Sequence, residues 1–218
     1  MTRFDGEYFE DVYEGQYDAR NPRYKHRAYL REVLRAAPAA RRLLEVGCAY
    51  GAFLREAELF FDVEGCDVSA HAVAIARQRV RSAKVFRADI RELDGEGAYD
   101  VIVCFDVLEH VPELDAAVKR LRRLLTARGI LVVVVPVYDT VVGALVRRLD
   151  RDPTHVHKLS RHAWLNRLRA SGFRVTSWTG IVRYHLGGRW YVHWSSRWLR
   201  RFSPAILVAC ARDDDGAR

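Results

Sequence analysis

The chain has 218 residues and a formal net charge of +8. Its length fits one α/β domain with a full core and is short for two such domains. The longest apolar run, residues 130–137, is too short to cross a bilayer, and the four cysteines show no CxxC spacing, which argues against a zinc site. The acidic N-terminal stretch and the widely spaced cysteines predict a cytoplasmic protein.

The excess of positive charge is compatible with two kinds of large anionic partner, a nucleic acid and an anionic membrane surface. No run of basic residues exceeds three, so charges spread over helix faces explain the excess better. A nucleic acid is therefore not favoured, and peripheral contact with a membrane stays as an alternative. The sequence is compatible with either a monomer or a homodimer.

Strands and helices alternate along the chain, which predicts a Rossmann-like, doubly wound α/β fold with a mostly parallel, seven-stranded sheet and helices on both faces. The predicted helices cover residues 23–37, 52–59, 70–81, 114–125 and 160–171. The predicted strands cover residues 42–46, 63–67, 84–87, 100–105, 130–135, 173–178 and 205–211. Residues 1–212 form one predicted domain, and residues 213–218 are predicted to be a frayed tail.

The segment after the first predicted strand has the pattern of a ligand-binding turn. An apolar run ends at Glu45, and Gly47 and Gly51 then bracket a tight turn into a helix-like segment. In open parallel sheets, such a turn presents a ligand to the N-terminus of a helix. Glycine-rich turns also close loops without any ligand, so this segment alone leaves a nucleotide-type site open.

Three further strands also end in an acid. Asp67 follows the second predicted strand, Asp89 the third and Asp106 the fourth. Acids often favour the start of a following helix, and that explanation would cover one of them. Three carboxylates at the same edge of a parallel sheet fit a shared binding site better, with Asp67 placed to accept the hydroxyls of a ribose.

With these motifs in order, the chain resembles the class I S-adenosylmethionine-dependent methyltransferases over about residues 8–211. The resemblance implies S-adenosylmethionine as the cofactor, Asp67 as the ribose acid and Asp89 as a residue near the adenine amino group. The family usually has glycine where Ala49 stands, which implies a looser backbone approach there. The cofactor contacts implied are Glu45, Val46, Gly47, Cys48, Ala49, Gly51, Asp67, Val68, Asp89, Ile90, Phe105 and Asp106.

The resemblance also suggests a lid over the cofactor. Residues 1–38 are predicted to form an N-terminal lid and helix, because similar enzymes use a tyrosine and a basic residue there to contact the methionine end. Tyr17 and Arg27 are the residues chosen for these two roles. Packing of this segment against the sheet is the alternative.

Methyl transfer is an in-line displacement, so the protein contributes mainly by positioning donor and acceptor. A base is needed when the acceptor is a hydroxyl, and the candidates are His110, His155 and His157. A histidine near its ordinary pKa of ~6.5 suits proton abstraction at neutral pH. Each histidine taken singly could instead be solvated or capping.

A second reading of the same residues involves a metal. Asp106-x-x-Glu109-His110 resembles the acid-x-x-Glu-His arrangement of ubiquinone-pathway O-methyltransferases and plant small-RNA 2′-O-methyltransferases, which hold a divalent ion with a later histidine. His155 could be that later ligand. Many similar methyltransferases carry Glu-His without metal, so the sequence favours a general base over a divalent metal. The candidate catalytic residues are His110, His155, Asp106 and Glu109.

The stretch between the last two predicted strands, residues 179–204, is an apolar insert expected over the acceptor side. Trp190, Trp194 and Trp198 recur in it every four residues, which places them on one face if the segment is helical. Packing against the sheet, a wall of the acceptor pocket and contact with a membrane are the three readings of that face.

The sequence thus predicts an S-adenosylmethionine-dependent methyltransferase acting on a small molecule, with an oxygen acceptor favoured over nitrogen. An RNA methyltransferase and an NAD-dependent oxidoreductase are the alternatives, and a non-catalytic cofactor-binding regulator is a third class. The oxidoreductase would share Asp67 but would need neither Asp89 nor residues 108–110, and no Tyr-x-x-x-Lys pair follows.

Overall fold

The fold is built on one eight-stranded sheet with the order β3-β2-β1-β4-β5-β8-β6-β7. The computed structural model describes residues 4, 6–13, 15–139, 143, 147–148, 152, 154–186 and 190–213. The strands are β1 (Arg42–Val46), β2 (Asp62–Asp67), β3 (Lys84–Arg87), β4 (Tyr99–Phe105), β5 (Leu125–Pro136), β6 (Phe173–Leu186), β7 (Trp190–Ser196) and β8 (Ala205–Arg212).

Strands β1 to β5 pair in parallel, so their carboxyl ends meet at one edge of the sheet. Strand β8 runs antiparallel to β5 and to β6, and β7 runs antiparallel to β6. The predicted doubly wound α/β fold is confirmed. The predicted count of seven strands is wrong by one, because part of the insert forms β7.

The helices of the described residues cover both faces of the sheet. They are α1 (Gly6–Tyr13), α2 (Tyr17–Arg20), α3 (Arg23–Ala36), α4 (Leu54–Ala57), α5 (Ala70–Arg79), α6 (Leu114–Leu124) and α7 (Arg161–Ala170), with 3-10 turns at Leu108–His110 and Arg197–Arg201. Side chains alternate along a strand, so β4 serves both cores. Ile102 and Cys104 pack with α6 and α7, and Val101 and Val103 pack with α3, α4 and α5.

Local capping explains where several helices begin and end. Ser160 accepts a hydrogen bond from the amide of Ala163, and Gly172 follows α7 with a φ of +83°, which L-residues resist. The predicted caps of this helix are confirmed. The four cysteines are free and buried, as small apolar residues would be. No helix of the described residues is long and apolar enough to cross a membrane.

The insert is a β-hairpin followed by a 3-10 turn rather than a helix. Residues of β6 and β7 pair from Gly180–Ser196 to Leu186–Trp190. A spacing of four keeps residues on one face of a helix, but it does the same in a strand, so the tryptophan pattern could not separate the two. Trp194 and Trp198 are 62% and 91% exposed, so packing of these two against the sheet is wrong.

The predicted frayed tail lies mostly outside the described residues. Residues 214–218 are not described, whereas the amide of Asp213 donates to the carbonyl of Gly172 at 3.0 Å. Asp213, the first residue of the predicted tail, is therefore hydrogen-bonded to the residue that follows α7.

Candidate functional site

A cleft of about 800 Å³ lies at the carboxyl ends of β1 to β4, between the sheet and the N-terminal helices. This edge is where open parallel sheets bind ligands. Most of the predicted cofactor residues line the cleft together. They are Tyr17, Glu45, Val46, Gly47, Cys48, Ala49, Asp67, Val68, Asp89, Ile90, Phe105 and Asp106.

The turn after β1 depends on glycine at its first position. Gly47 has a φ of +76°, and a Cβ there would lie 2.3 Å from Cγ2 of Val107. Gly51 closes the turn with a φ of +74°. Ala49, where the resembling family has glycine, also has a positive φ of 45°. The turn therefore carries a conformational cost at Ala49, because L-residues seldom adopt a positive φ.

Two buried carboxylates lie beside this turn. The oxygens of Asp67 accept hydrogen bonds from the amides of Ala49 and Ser69, each at 2.9 Å. Burial raises the pKa of Asp67, and these amides oppose the rise. Glu45 has one oxygen, Oε2, without a partner among the described residues, and burial holds its pKa well above the ordinary value. Asp67 is thus the better-placed acid for a neutral polar ligand such as a ribose.

Asp89 lies at the opposite wall of the cleft, after β3. Its carboxylate is paired with Arg91, with Oδ2 at 2.6 Å from the guanidinium, and this hydrogen bond lowers its pKa. Both residues line the cleft. Asp89 therefore stays ionised and can accept a hydrogen bond from a ligand amino group.

The N-terminal helices close the cleft on the side of the first turn. The amide of Tyr50 donates to the hydroxyl of Tyr17 at 3.3 Å, and the two rings lie 4.2 Å apart. Phe9 also stacks on Tyr50, with ring centres 4.8 Å apart. Helices α1 and α2 therefore rest directly on the turn after β1, where a lid would lie.

The basic residue chosen from the sequence is not the one that reaches the cleft. Arg27 pairs with Glu56 at 2.7 Å and does not line the cleft. Lys25 does line it, and its Nζ lies 2.9 Å from Oδ1 of Asn21. Two residues apart on a helix are about 200° apart around the axis, so only one of them can face the cleft. Lys25 is therefore a basic residue of α3 that lines the cleft, and Arg27 is not among the lining residues.

Asp106 is paired with a residue that no sequence motif pointed to. Arg183 of β6 makes two hydrogen bonds to its carboxylate, at 2.5 and 2.6 Å. The Arg183 guanidinium keeps the pKa of Asp106 low despite burial. The two residues are 77 positions apart, and only the pairing of β6 with the rest of the sheet brings them together. The carboxylate considered as a metal ligand is therefore paired with Arg183.

His110 lines the cleft and belongs to a chain of hydrogen bonds. Its Nδ1 lies 2.8 Å from Oγ1 of Thr154, which lies 2.5 Å from a carboxylate oxygen of Asp152. A hydroxyl has one proton, and a carboxylate can only accept, so Thr154 donates to Asp152 and accepts from Nδ1–H of His110. The lone pair of His110 is therefore on Nε2.

Burial and the neighbouring His155 lower the pKa of His110 to about 4, away from the ordinary value of ~6.5 expected from the sequence. The ring is thus neutral at neutral pH. His155 lies close by, with ring centres 4.7 Å apart, and its Nδ1 is 3.3 Å from the hydroxyl of Tyr138. Neither His155 nor Glu109 lines the cleft itself.

His157 has a structural role. Its Nε2 donates to the carbonyl of Val111 at 2.8 Å, and its amide donates to the carbonyl of Glu109. The amide of Val156 donates to the same carbonyl. These bonds anchor the loop after β5 against the 3-10 turn, and His157 is not among the residues that line the cleft.

Three of the predicted metal ligands lie together. One ligand atom each from Glu109, His110 and His155 falls within 4.8 Å of the others. Burial, with Asp106 nearby, holds the pKa of Glu109 well above its ordinary value, and its Oε2 has no partner among the described residues. Two imidazoles and one carboxyl form a donor set that suits several divalent ions.

Comparison with known proteins finds similarity to methyltransferases. A family model described as "Methyltransferase domain" matches residues 19–177. The dTDP-3-amino-3,6-dideoxy-alpha-D-glucopyranose N,N-dimethyltransferase of Streptomyces fradiae is 36% identical over 106 residues, which cover 46% of this chain and 42% of that protein. A ubiquinone biosynthesis O-methyltransferase of Chelativorans sp. (strain BNC1) is 29% identical, over 68% of this chain and 65% of that protein. The chain spans less than two thirds of either relative.

Solved structures with low sequence identity share the fold. A SAM-dependent methyltransferase from Thermotoga maritima, described as a possible histamine N-methyltransferase, has a TM-score of 0.71 at 15% identity and covers 94% of this chain and 99% of its own. Magnesium protoporphyrin IX methyltransferase from Synechocystis PCC 6803, solved with bound SAH, has a TM-score of 0.65 at 19% identity, over 88% and 84% of the two chains.

Proposed function

The chain belongs to the methyltransferase-domain family, and from this premise we propose that it transfers a methyl group from S-adenosylmethionine to a hydroxyl oxygen of a small molecule. The observation that carries the oxygen acceptor is the hydrogen-bonded chain that leaves a neutral His110 with its Nε2 lone pair at the cleft. A sulfonium carries its own leaving group, so the remaining chemical task is removal of the acceptor's proton.

The proposed cofactor site rests on the turn after β1 and the acids around it. Asp67 would accept the ribose hydroxyls, and Asp89 would accept from the adenine amino group. Tyr17 and Lys25 would lie at the methionine end, where the N-terminal helices close the cleft. Charge-assisted hydrogen bonds to buried carboxylates are stronger than neutral ones, so Asp67 should carry a large share of the affinity.

We expect calorimetry to show binding of S-adenosylmethionine and of its demethylated product with dissociation constants in the low micromolar range, about −8 kcal/mol. Asp67→Ala should weaken binding by about 1–3 kcal/mol because the ribose loses its charged acceptor. Asp62→Ala removes an exposed carboxylate from the other end of β2 and should leave affinity unchanged. Tight NAD binding without binding of S-adenosylmethionine would instead identify an oxidoreductase.

In the proposed mechanism, His110 removes the acceptor's proton through Nε2. Asp152 and Thr154 hold the ring in the required tautomer, as an acid does for the histidine of a catalytic triad. Asp106, which is paired with Arg183, also lines the cleft and has a positive φ of 58°. An amine acceptor would need no base, and an RNA acceptor would need a longer basic surface than the cleft offers.

A metal-assisted route is the second candidate, favoured by the cluster of Glu109, His110 and His155. The Oε2 atom of Glu109 has no hydrogen-bond partner among the described residues and could bind a cation. Asp106, at the position of a further ligand in the enzymes that this motif resembles, is instead paired with Arg183. A divalent ion bound there would orient acceptor hydroxyls and lower their pKa. The direct general-base route needs none of these ligands beyond His110.

The outer face of the β6–β7 hairpin is proposed to contact an anionic membrane surface. Side chains alternate along the hairpin, so Arg183 and His193 point inward while Tyr184, Val192 and Trp194 are exposed. Trp198 and Phe202 continue this apolar face, and the exposed Arg197 and Arg201 lie beside it. Tryptophan and arginine together favour the interface of an anionic bilayer.

We expect the parent chain to co-sediment with phosphatidylglycerol vesicles and not with phosphatidylcholine vesicles, and raising salt should weaken binding. Replacing both Trp194 and Trp198 with alanine should abolish co-sedimentation. Phe60→Ala removes an exposed aromatic between α4 and β2 and is the matched control. Equal binding by the double variant and the parent would rule out this face as the contact.

A further inference from the structure

Helix α1 contacts both ends of the cleft through neighbouring residues. Phe9 stacks on Tyr50 of the turn after β1, with ring centres 4.8 Å apart. The preceding residue, Tyr8, donates a hydrogen bond from its hydroxyl to Oδ2 of Asp152 at 3.3 Å. Successive residues of a helix are about 100° apart around its axis, so adjacent side chains can reach different partners. One helix therefore connects the proposed cofactor turn with the acid that supports His110.

A second aromatic side chain of the same segment lies against His110. Phe4, just before α1, has its ring centre 5.7 Å from that of His110, with the two planes at 81°. The rings of Phe4 and Tyr8 lie 4.9 Å apart, also edge to face. Phe4, Tyr8 and His110 all line the cleft. Edge-to-face ring pairs at these distances attract each other, so the N-terminal segment packs on His110 and also hydrogen-bonds to its supporting acid.

The hydrogen bond from Tyr8 is made to the carboxylate oxygen of Asp152 that Thr154 does not contact. Oδ1 of Asp152 accepts from the amide and from the hydroxyl of Thr154, at 2.8 and 2.5 Å. Oδ2 accepts from Tyr8 and lies 3.9 Å from Nε2 of His155. The terminal torsion of an aspartate has a broad energy minimum, so a carboxylate turns easily unless both oxygens are held. Tyr8 therefore favours the orientation in which Oδ1 accepts from Thr154.

The orientation of Asp152 in turn decides the tautomer of His110. The Thr154 hydroxyl has one proton, and while it donates to Asp152 it can only accept from Nδ1–H of His110. If the carboxylate turned away, the same hydroxyl could donate to Nδ1. The ring would then carry its proton on Nε2 and could not remove a proton from an acceptor through that atom. The Tyr8 hydroxyl thus influences His110 through two intervening side chains.

We propose that Tyr8 is a positioning residue for the His110 base: its hydrogen bond to Asp152 stabilises the tautomer that leaves Nε2 of His110 free to take a proton. This inference rests on the proposed function. Because Phe9 seats the same helix on the turn after β1, the packing of α1 over the cofactor turn and the orientation of the base depend on each other.

The test measures the tautomer of His110 directly. Protein with isotope-labelled histidine is studied by proton–nitrogen NMR at neutral pH with saturating S-adenosylhomocysteine, and His110→Gln identifies the His110 signals. We expect the parent His110 to carry its proton on Nδ1. Tyr8→Phe keeps the ring but removes the hydroxyl, so the ratio of the Nδ1–H to the Nε2–H form should fall about 5-fold or more. In a Thr154→Val background the same substitution should change the ratio by less than about 2-fold, because the connecting hydroxyl is already gone.

Tyr99→Phe is the matched control, because the Tyr99 hydroxyl also donates to a carboxylate, Oε2 of Glu64 at 2.9 Å, but Tyr99 does not line the cleft. It should keep the parent ratio, and calorimetry should give Tyr8→Phe the parent affinity for S-adenosylhomocysteine.

An unchanged ratio in Tyr8→Phe, with the parent His110 protonated on Nδ1, overturns the role of Tyr8 alone. An equal fall in the parent and Thr154→Val backgrounds overturns it too, because the substitution would then act on the packing around His110 and not through Asp152. A parent His110 that carries its proton on Nε2 contradicts the proposed mechanism. A parent chain that binds no S-adenosylhomocysteine contradicts the proposed function itself.

Discussion

Replacing His110 with alanine is expected to lower kcat by about 10²–10⁴-fold, measured as S-adenosylhomocysteine release with an acceptor on which the parent chain is active. The reason is the loss of the Nε2 lone pair that the His110–Thr154–Asp152 chain presents to the cleft. Affinity for S-adenosylmethionine should be kept, because no proposed cofactor contact uses this ring. Chelator should leave the parent enzyme unaffected.

Thr154→Val tests the hydrogen bond that orients His110 without removing His110 itself. It keeps the shape of the side chain but removes the hydroxyl that fixes the tautomer of His110, so kcat should fall while KM stays near the parent value. The loss should be about 10-fold or more and smaller than the loss in His110→Ala.

Two other outcomes would redirect the mechanism. If chelator alone abolishes activity, added divalent ion restores it, and Glu109→Gln or His155→Ala has the same effect as chelator, then the metal-assisted route is correct. If the His110 and His155 variants both stay fully active with and without chelator, no base is used, and an amine acceptor is indicated.

The Gly47→Ala variant is expected to lose about 2–4 kcal/mol of unfolding free energy, measured by urea denaturation. About 1 kcal/mol of this comes from an L-residue at positive φ. The remainder comes from the clash of the new Cβ with Cγ2 of Val107, since overpacking costs about 1–3 kcal/mol. Cofactor affinity should also fall, because the displaced turn carries the amide of Ala49 that hydrogen-bonds to Asp67.

Gly97→Ala is the matched control for this loss. Gly97 also has a positive φ, of 58°, but a Cβ there meets nothing within 4 Å. It should show the backbone strain alone, about 1 kcal/mol, with cofactor affinity unchanged. Equal destabilisation by the two substitutions would show that Val107 yields without cost and that the turn does not depend on close packing.

The sequence by itself determined the fold class and the framework of the cleft. Apolar strands that each end in an acid, and glycines at 47 and 51, are local patterns, and local patterns survive without tertiary information. Asp67, Asp89 and Asp106 therefore fall at one sheet edge as predicted, because parallel strands place their carboxyl ends together.

The tertiary structure alone decided which side chains act together. Arg183 reaches Asp106 only because β6 joins the sheet, and Thr154 reaches His110 only because the loop after β5 folds back over the 3-10 turn. The choice of Lys25 over Arg27 depends on the rotation of α3 against the cleft. The tryptophan spacing suits a helix and a strand equally, so pairing of β7 with β6 settled it. Contacts between residues far apart in the chain leave no periodic pattern in a single sequence, which is why these had to come from the packed structure.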